Sequence, residues 1–121
     1  MSSDADTPIR ELVRQVLEFR DERDWRQYHH PKDLAMALAI EAGELMEPFR
    51  FKSGEQIDAE LAAGSLPEVA HEMADVLYFL LLFAHELNVD LTGALAEKLK
   101  LNAQKYPVEK SRGRNVKYTH L

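Results

Sequence analysis

Ile40-Glu41-Ala42-Gly43-Glu44-Leu45-Met46-Glu47 is the stretch on which the reading of this chain turns, and His71-Glu72-Met73-Ala74-Asp75-Val76 answers it further on. Each segment sets two acids three residues apart, Glu41/Glu44 and Glu72/Asp75, inside apolar sequence. On a helix such residues share a face. Ile40, Leu45, Met73 and Val76 flank the acids, which predicts carboxylates presented from mostly buried helices rather than from a solvated surface. Clustered, poorly hydrated carboxylates are costly unless paired or metal-bound. Lys and Arg elsewhere in the chain offer one remedy. A hard divalent cation with oxygen ligands, Mg²⁺ with Mn²⁺ as substitute, offers the other.

The rest of the chain supports a helical frame around these segments. With 121 residues it is expected to form a single domain over 1–121, with residues 1–7 frayed and 106–121 a C-terminal tail. Ile9, Leu12, Val13, Val16 and Leu17 recur at helical spacing behind Thr7-Pro8, read as an N-cap followed by proline at the first helical position. Pro31-Lys32-Asp33 opens a second helix, in which Leu34, Leu38, Glu41 and Leu45 form one row and Pro48 forces an end or a kink. Gly43, between the two acids, leaves room for another backbone or a ligand to come near. Ser53-Gly54 reads as a breaker, Glu55 to Ala63 as a short helix, and Gly64-Ser65 as its end. Leu66-Pro67-Glu68 starts a third long helix. Its second half, Val76 to Ala84, is apolar on every side and should therefore be buried on more than one face. In so short a chain this predicts a partner subunit. Asp90 is the expected N-cap of a fourth long helix that closes at Tyr106-Pro107. The expected fold is all-α, a four-helix bundle assembled as a homo-oligomer, dimer or dimer of dimers.

Composition narrows the function classes. Twenty-one acids against 15 Lys and Arg give a formal net charge of −6, which argues against a nucleic-acid polymer as partner. The absence of cysteine removes disulfides, thiolate catalysis and Cys-ligated zinc. His29 and His30 stand without an HExxH motif, so zinc ranks low. The longest apolar run, Val76 to Ala84, is nine residues, whereas a membrane span needs about twenty. The polar start has no apolar core of a secretory signal, and the location expected is cytoplasmic. Lys98, Asn102 and Lys105 share a helix face and could meet phosphate oxygens. Trp25, Tyr28, His29, Phe49 and Phe51 cluster before and after the acidic helix and could stack on a nucleobase. Taken singly, each of these features is as well explained by a solvated face or by aromatic packing at helix ends.

Together the residues resemble a known family. Glu41-x-x-Glu44 followed by Glu72-x-x-Asp75 is similar to the ExxE…ExxD pattern of the all-α nucleoside triphosphate pyrophosphohydrolases, the MazG-like superfamily. Glu22-Arg23-Asp24-Trp25-x-Gln27-Tyr28-His29, the acidic helix through Phe51, and Lys105-Tyr106-Pro107-Val108 with Ser111-Arg112-Gly113 and Lys117-Tyr118 resemble its dCTP pyrophosphatase branch. The resemblance covers roughly residues 9 to 121. It implies that Glu41, Glu44, Glu72 and Asp75 hold Mg²⁺ and carry catalysis. It places Lys98, Asn102 and Tyr106 at phosphate- and sugar-contacting positions, Trp25 and His29 along the base pocket, and Phe51 as a stacking ring. The reaction implied is dCTP, or a modified dCTP, to dCMP and pyrophosphate, as nucleotide-pool sanitation. Phe51 stands where relatives carry Trp, and Phe79, beside Tyr78, where they carry Tyr; both departures bear on base preference. The competing readings are the same reaction on dUTP or a broad NTP set, and a non-catalytic helical interaction module.

Overall fold

A computed structural model describes residues 2–121; Met1, part of the segment read as frayed, lies outside them. Among the described residues every regular element is helical and there is no strand. α1 spans Ile9–Glu22. The expected Thr7 cap is not used. Pro8 itself takes the N-cap position, and its carbonyl accepts from the amides of Glu11 and Leu12 at 3.0 and 3.3 Å. These are the bonds that any N-cap carbonyl accepts, and among the described residues no side chain caps α1. Ser3 and Asp6 close a turn ahead of the helix, with Asp6 N donating to Ser3 O at 3.1 Å.

α2 spans Pro31–Met46. His30 caps it, Nδ1 accepting from the Lys32 amide at 3.1 Å, and Pro31 sits where its missing N–H costs nothing. The helix stops short of Pro48, as expected. The Ser53 breaker is also a start signal that the sequence reading passed over. Ser53 Oγ accepts from Gln56 N at 3.2 Å while Gln56 Oε1 accepts from Ser53 N at 2.8 Å, a capping box that opens α3, Gly54–Glu60. A π-helical turn, Leu61–Ser65, joins α3 to α4, Leu66–Glu86. The short helix ends at Glu60, ahead of the Ala63 expected, and Gly64, read as part of its end, marks a kink before α4, with φ 112°, a conformation that L-residues rarely take.

The chain divides into two compact units, the first ending at Asn88 and the second Val89–Leu121. In the first, α4 packs along α2 and against α1. Leu34 of α2 and Val69, Leu81, Leu82 and Ala84 of α4 are buried. The row Leu34, Leu38, Glu41, Leu45 behaves as read, with Leu34 buried and the other three half-buried, so Glu41 takes a place that an apolar residue would otherwise fill. The flanks of the acids differ from expectation. Ile40 is 60% exposed and Met73 57%, and Leu77 is exposed within the stretch expected to be buried all round. One chain has too few elements to cover both faces of α4, so apolar side chains beside the carboxylates remain open.

The second unit holds α5, Leu91–Lys105, capped as expected by Asp90, whose Oδ2 accepts from Gly93 N at 2.9 Å. A Cβ at position 93 would lie 2.8 Å from that oxygen, which is why glycine suits the cap. A short α6, Val108–Ser111, follows Pro107. The tail then turns back through Gly113, φ 73°, and sets Tyr118 against Tyr106, ring centroids 5.9 Å apart. Among the described residues no single helix is long and apolar enough to cross a membrane.

Arg20 is the buried charged side chain of the first unit, 3% exposed. Its Nη1 donates to Glu86 Oε1 and its Nε to Asp21 Oδ1, both at 2.9 Å, so that the C-terminal ends of α1 and α4 are tied together. The Glu86 side chain is itself only 16% exposed. Removing one partner of such a pair strands the other charge, at a cost of roughly 3–5 kcal/mol, whereas apolar replacement of both is often near neutral. Arg20→Ala is therefore expected to lower unfolding stability by about 3 kcal/mol in urea titrations, and Arg20→Met with Glu86→Leu to recover most of it.

Candidate active site

Packing of α4 along α2 brings three of the four predicted acids together. Glu41, Glu72 and Asp75 each offer a carboxylate oxygen, and these oxygens lie within 4.8 Å of one another. Glu41 and Glu72 are half-buried and Asp75 is exposed. Burial pushes the Glu41 carboxyl above the usual range, and the charges of Asp75, Glu44 and Glu72 push it the same way. Glu44 is exposed and stands outside the three-oxygen group, though near enough for its charge to act on Glu41. A residue at i+3 is displaced about one turn along the axis and some 60° around it. It shares the face of its neighbour without necessarily meeting the same point on a crossing helix.

Among the described residues none of these four acids forms an ion pair with Lys, Arg or His. The remedy by basic side chains is thus not the one the fold adopts. An all-oxygen, unpaired, partly desolvated donor set fits a hard divalent cation and offers nothing to a metal that prefers nitrogen or sulfur. Gly43 faces open space, with nothing within 4 Å of where a Cβ would stand, so no backbone of the same chain uses the gap.

Beside the cluster, α1 and α4 leave a groove of about 430 Å³. Leu12, Gln15, Val16 and Phe19 form its α1 wall, and Ala74, Asp75, Leu77, Tyr78 and Leu81 its α4 wall. Asp75 therefore belongs both to the carboxylate cluster and to the groove. Phe19 stands edge-on to Tyr78, centroids 5.9 Å apart at 86°, and to Trp25, 5.9 Å apart at 69°, with the Arg23 guanidinium 3.7 Å from its own centroid. The Tyr78 hydroxyl is buried and, among the described residues, has no hydrogen-bond partner; burial pushes its pKa up.

The aromatic residues named from the sequence fall differently. Trp25 reaches the groove only through its edge contact with Phe19. His29 is half-buried, its Nδ1 without a partner among the described residues; burial pushes its pKa down, and the charge of Arg20 adds to this. Phe51 is 91% exposed and holds a left-handed backbone, φ 61°, with the Arg50 guanidinium 4.4 Å from its ring centroid. For a bulky residue this conformation is strained. Lys98, Asn102 and Tyr106 lie in the second unit, where Asn102 O accepts from Tyr106 N at 2.8 Å and Lys105 sits over the Tyr118 ring. Phe19, Tyr78 and Gln15 were not read as site residues. The available signal was the spacing of Leu12, Val16 and Phe19 against Asp75, Tyr78 and Leu81, which puts each trio on one helix face.

A family model for MazG-like proteins matches residues 36–121. The chain belongs to the MazG-like family. The MazG-like match opens inside α2 and takes in the whole carboxylate cluster, while α1 and its wall of the groove lie ahead of it. Among curated proteins, dCTP pyrophosphatase 1 of Mus musculus is 42% identical over 120 residues, 94% of this chain and 68% of the mouse protein. The Homo sapiens protein of the same name is 37% identical over 94% of this chain and 68% of its own length, and that of Bos taurus 36% over 99% and 72%. Among solved structures, a pyrophosphatase from Archaeoglobus fulgidus superposes with a TM-score of 0.76 at 34% identity, covering 88% of this chain and 99% of that one.

A raised carboxyl has a definite sign in stability. The folded state holds the Glu41 proton to higher pH than the unfolded state does. Stability is therefore lost as pH rises above the ordinary glutamate value of about 4.3. Without metal at pH 7, Glu41→Gln is expected to melt above wild type, the gap closing near pH 4. Millimolar Mg²⁺ should raise wild type more than the variant. Thermal melts with and without chelator check both.

Proposed function

We propose that this chain hydrolyses dCTP, or a base-modified dCTP, to dCMP and pyrophosphate with Mg²⁺. The observation that carries the reading is the unpaired cluster of Glu41, Glu72 and Asp75, in a chain 36–42% identical to proteins named dCTP pyrophosphatase 1. The coarser statement is plain: the chain is a nucleotide pyrophosphatase, as its curated relatives and its structural neighbour are pyrophosphatases. The metal identity, the deoxycytidine base, a homo-oligomeric state and a cytoplasmic location form part of the proposal, as does a single functional domain over 1–121.

Glu41, Glu72 and Asp75 would hold the cation, with Glu44 at the margin. A bound Mg²⁺ supplies charge neutralisation for the triphosphate and polarises water. The side chains of the chain do the rest. Glu44, outside the three-oxygen group and exposed, is our choice for the carboxylate that orients the attacking water and accepts its proton. Water adds at the α-phosphorus, the bridging α–β P–O bond breaks, and pyrophosphate leaves with that oxygen. Lys98, Asn102 and Tyr106 recur every four residues along α5 and its cap, one face from which to meet phosphates and sugar. The α1–α4 groove, which Asp75 helps to line, is the seat for the base, with Trp25, edge-on to Phe19, and His29 assigned to the base side of the site. Phe51 is the stacking ring. Its exposure, and that of Ile40 and Met73 beside the acids, support its use across a subunit boundary, in a dimer or a dimer of dimers.

A nucleotide panel with Mg²⁺, resolved by chromatography, tests the reaction. Pyrophosphate release is expected to be fastest from dCTP or its 5-substituted forms. It should fall at least about 10²-fold in Glu41→Gln and in Asp75→Asn, the upper end of what loss of an outer-shell metal partner costs. Preference for dUTP, or no preference, would replace the base assignment. Failure of folded wild type to turn over any triphosphate would remove the reaction. Light scattering at micromolar concentration should give a dimeric or tetrameric mass; a monomer would count against the assembly.

A further inference from the structure

The groove lining has three polar contributors. Asp75 is committed to the carboxylate cluster, and the Tyr78 hydroxyl is buried. Gln15 is the third, set among Leu12, Val16 and Phe19 on the α1 wall. Its amide is loosely held. Nε2 makes one long contact, 3.5 Å to Glu11 Oε1, an oxygen already engaged by Arg14 at 2.7 Å, and among the described residues Oε1 of Gln15 has no partner. A side-chain amide carries two donors and an acceptor in one plane, and it reverses them by a half-turn of its last torsion. The remaining lining is aliphatic or aromatic, which suits the faces of a flat heterocycle and leaves its polar edge unserved. The volume, about 430 Å³, falls within the range of small-molecule sites.

We propose that Gln15 hydrogen-bonds the polar edge of a pyrimidine nucleobase seated in this groove. This rests on the hydrolase reading above. Against cytosine, Gln15 Oε1 accepts from the exocyclic amine and Nε2 donates to ring N3. Against uracil the flipped amide donates to the exocyclic oxygen and accepts from ring N3–H. Gln15 therefore accommodates both pyrimidines. Replacing the amide by a carboxylate leaves only acceptors, so each pyrimidine keeps one contact and loses the other: the cytosine amine is served but ring N3 is opposed, and uracil N3–H is served but the exocyclic oxygen is opposed.

The test compares wild type, Gln15→Leu and Gln15→Glu on dCTP, dUTP and the base-free deoxyribose 5′-triphosphate. Gln15 is exposed on α1 and leucine is a good helix former, so both variants should melt near wild type. Gln15→Leu is expected to raise KM for dCTP and dUTP about tenfold with little change in kcat, and to leave the base-free substrate untouched. Gln15→Glu is expected to raise KM for both dCTP and dUTP, with the dCTP-to-dUTP ratio of kcat/KM changed by less than about threefold. Unchanged KM values for dCTP and dUTP in folded, active variants would overturn the role of Gln15 while the hydrolase reading stands. An equal loss on the base-free substrate would overturn it also, since the residue would then act away from the base. A wild type with no turnover on any triphosphate would remove both.

Discussion

Three carboxylate oxygens held within 4.8 Å repel one another, and the rest of the first unit is built to hold them there. Two unit charges 4 Å apart cost about 1 kcal/mol in bulk water and about 4 kcal/mol at the effective dielectric of a protein surface. Asp75 is exposed and Glu41 and Glu72 are half-buried, so solvent screens part of this repulsion. The opposing work is done by the seam between α2 and α4, through buried Leu34, Leu81 and Leu82, and by the Arg20–Glu86 pair that fastens α1 to α4. Glu41 meets the strain by keeping its proton longer than an ordinary glutamate. A cation removes the repulsion outright. The site is thus a place where folding gives up stability that a metal can restore.

Much of this was legible in the residue order, because periodicity and punctuation are local. The rows through Leu34 and Val76, the prolines at 8, 31, 48 and 67, and the cap at Asp90 each act within a turn or two of where they stand. The pairing of Glu41 with Glu72 and Asp75 was legible too, since acids at helical spacing inside apolar sequence have few cheap destinations. Glu44 shows the limit. Spacing fixes the face of one helix, but convergence depends on where the second helix crosses it. Arg20 shows another: arginine is ordinarily a surface residue, and nothing in Glu18-Phe19-Arg20-Asp21 says that this one is enclosed until Glu86 arrives from 66 residues away.

The aromatic residues divide for a similar reason. Trp25, His29 and Phe51 drew notice by standing close to the acidic helix in sequence. Phe19 and Tyr78, which wall the groove, sit within apolar stripes and read as core. An apolar stripe says that a face is covered without saying by what. Here α1 and α4 meet only along part of their length, and the uncovered part becomes a slot that ends on a carboxylate. The MazG-like match begins at residue 36 and so leaves out the α1 wall. The chemistry of the acids belongs to the matched region, while the lining that faces a substrate base is drawn partly from outside it.

The turn at Leu61–Ser65 bears on how this chain tolerates changes in its own length. Gly64, at φ 112°, breaks the helical path between α3 and α4, so the two helices meet at a kink that a residue with a side chain would strain. Downstream of it α4 is fixed against α2 by buried Leu34, Leu81 and Leu82, while residues 47–53 lie outside any helix. A change in chain length is absorbed at least cost in residues 47–53 or at the kink, both ahead of α4, so that the spacing of Glu72 and Asp75 within α4 stays untouched.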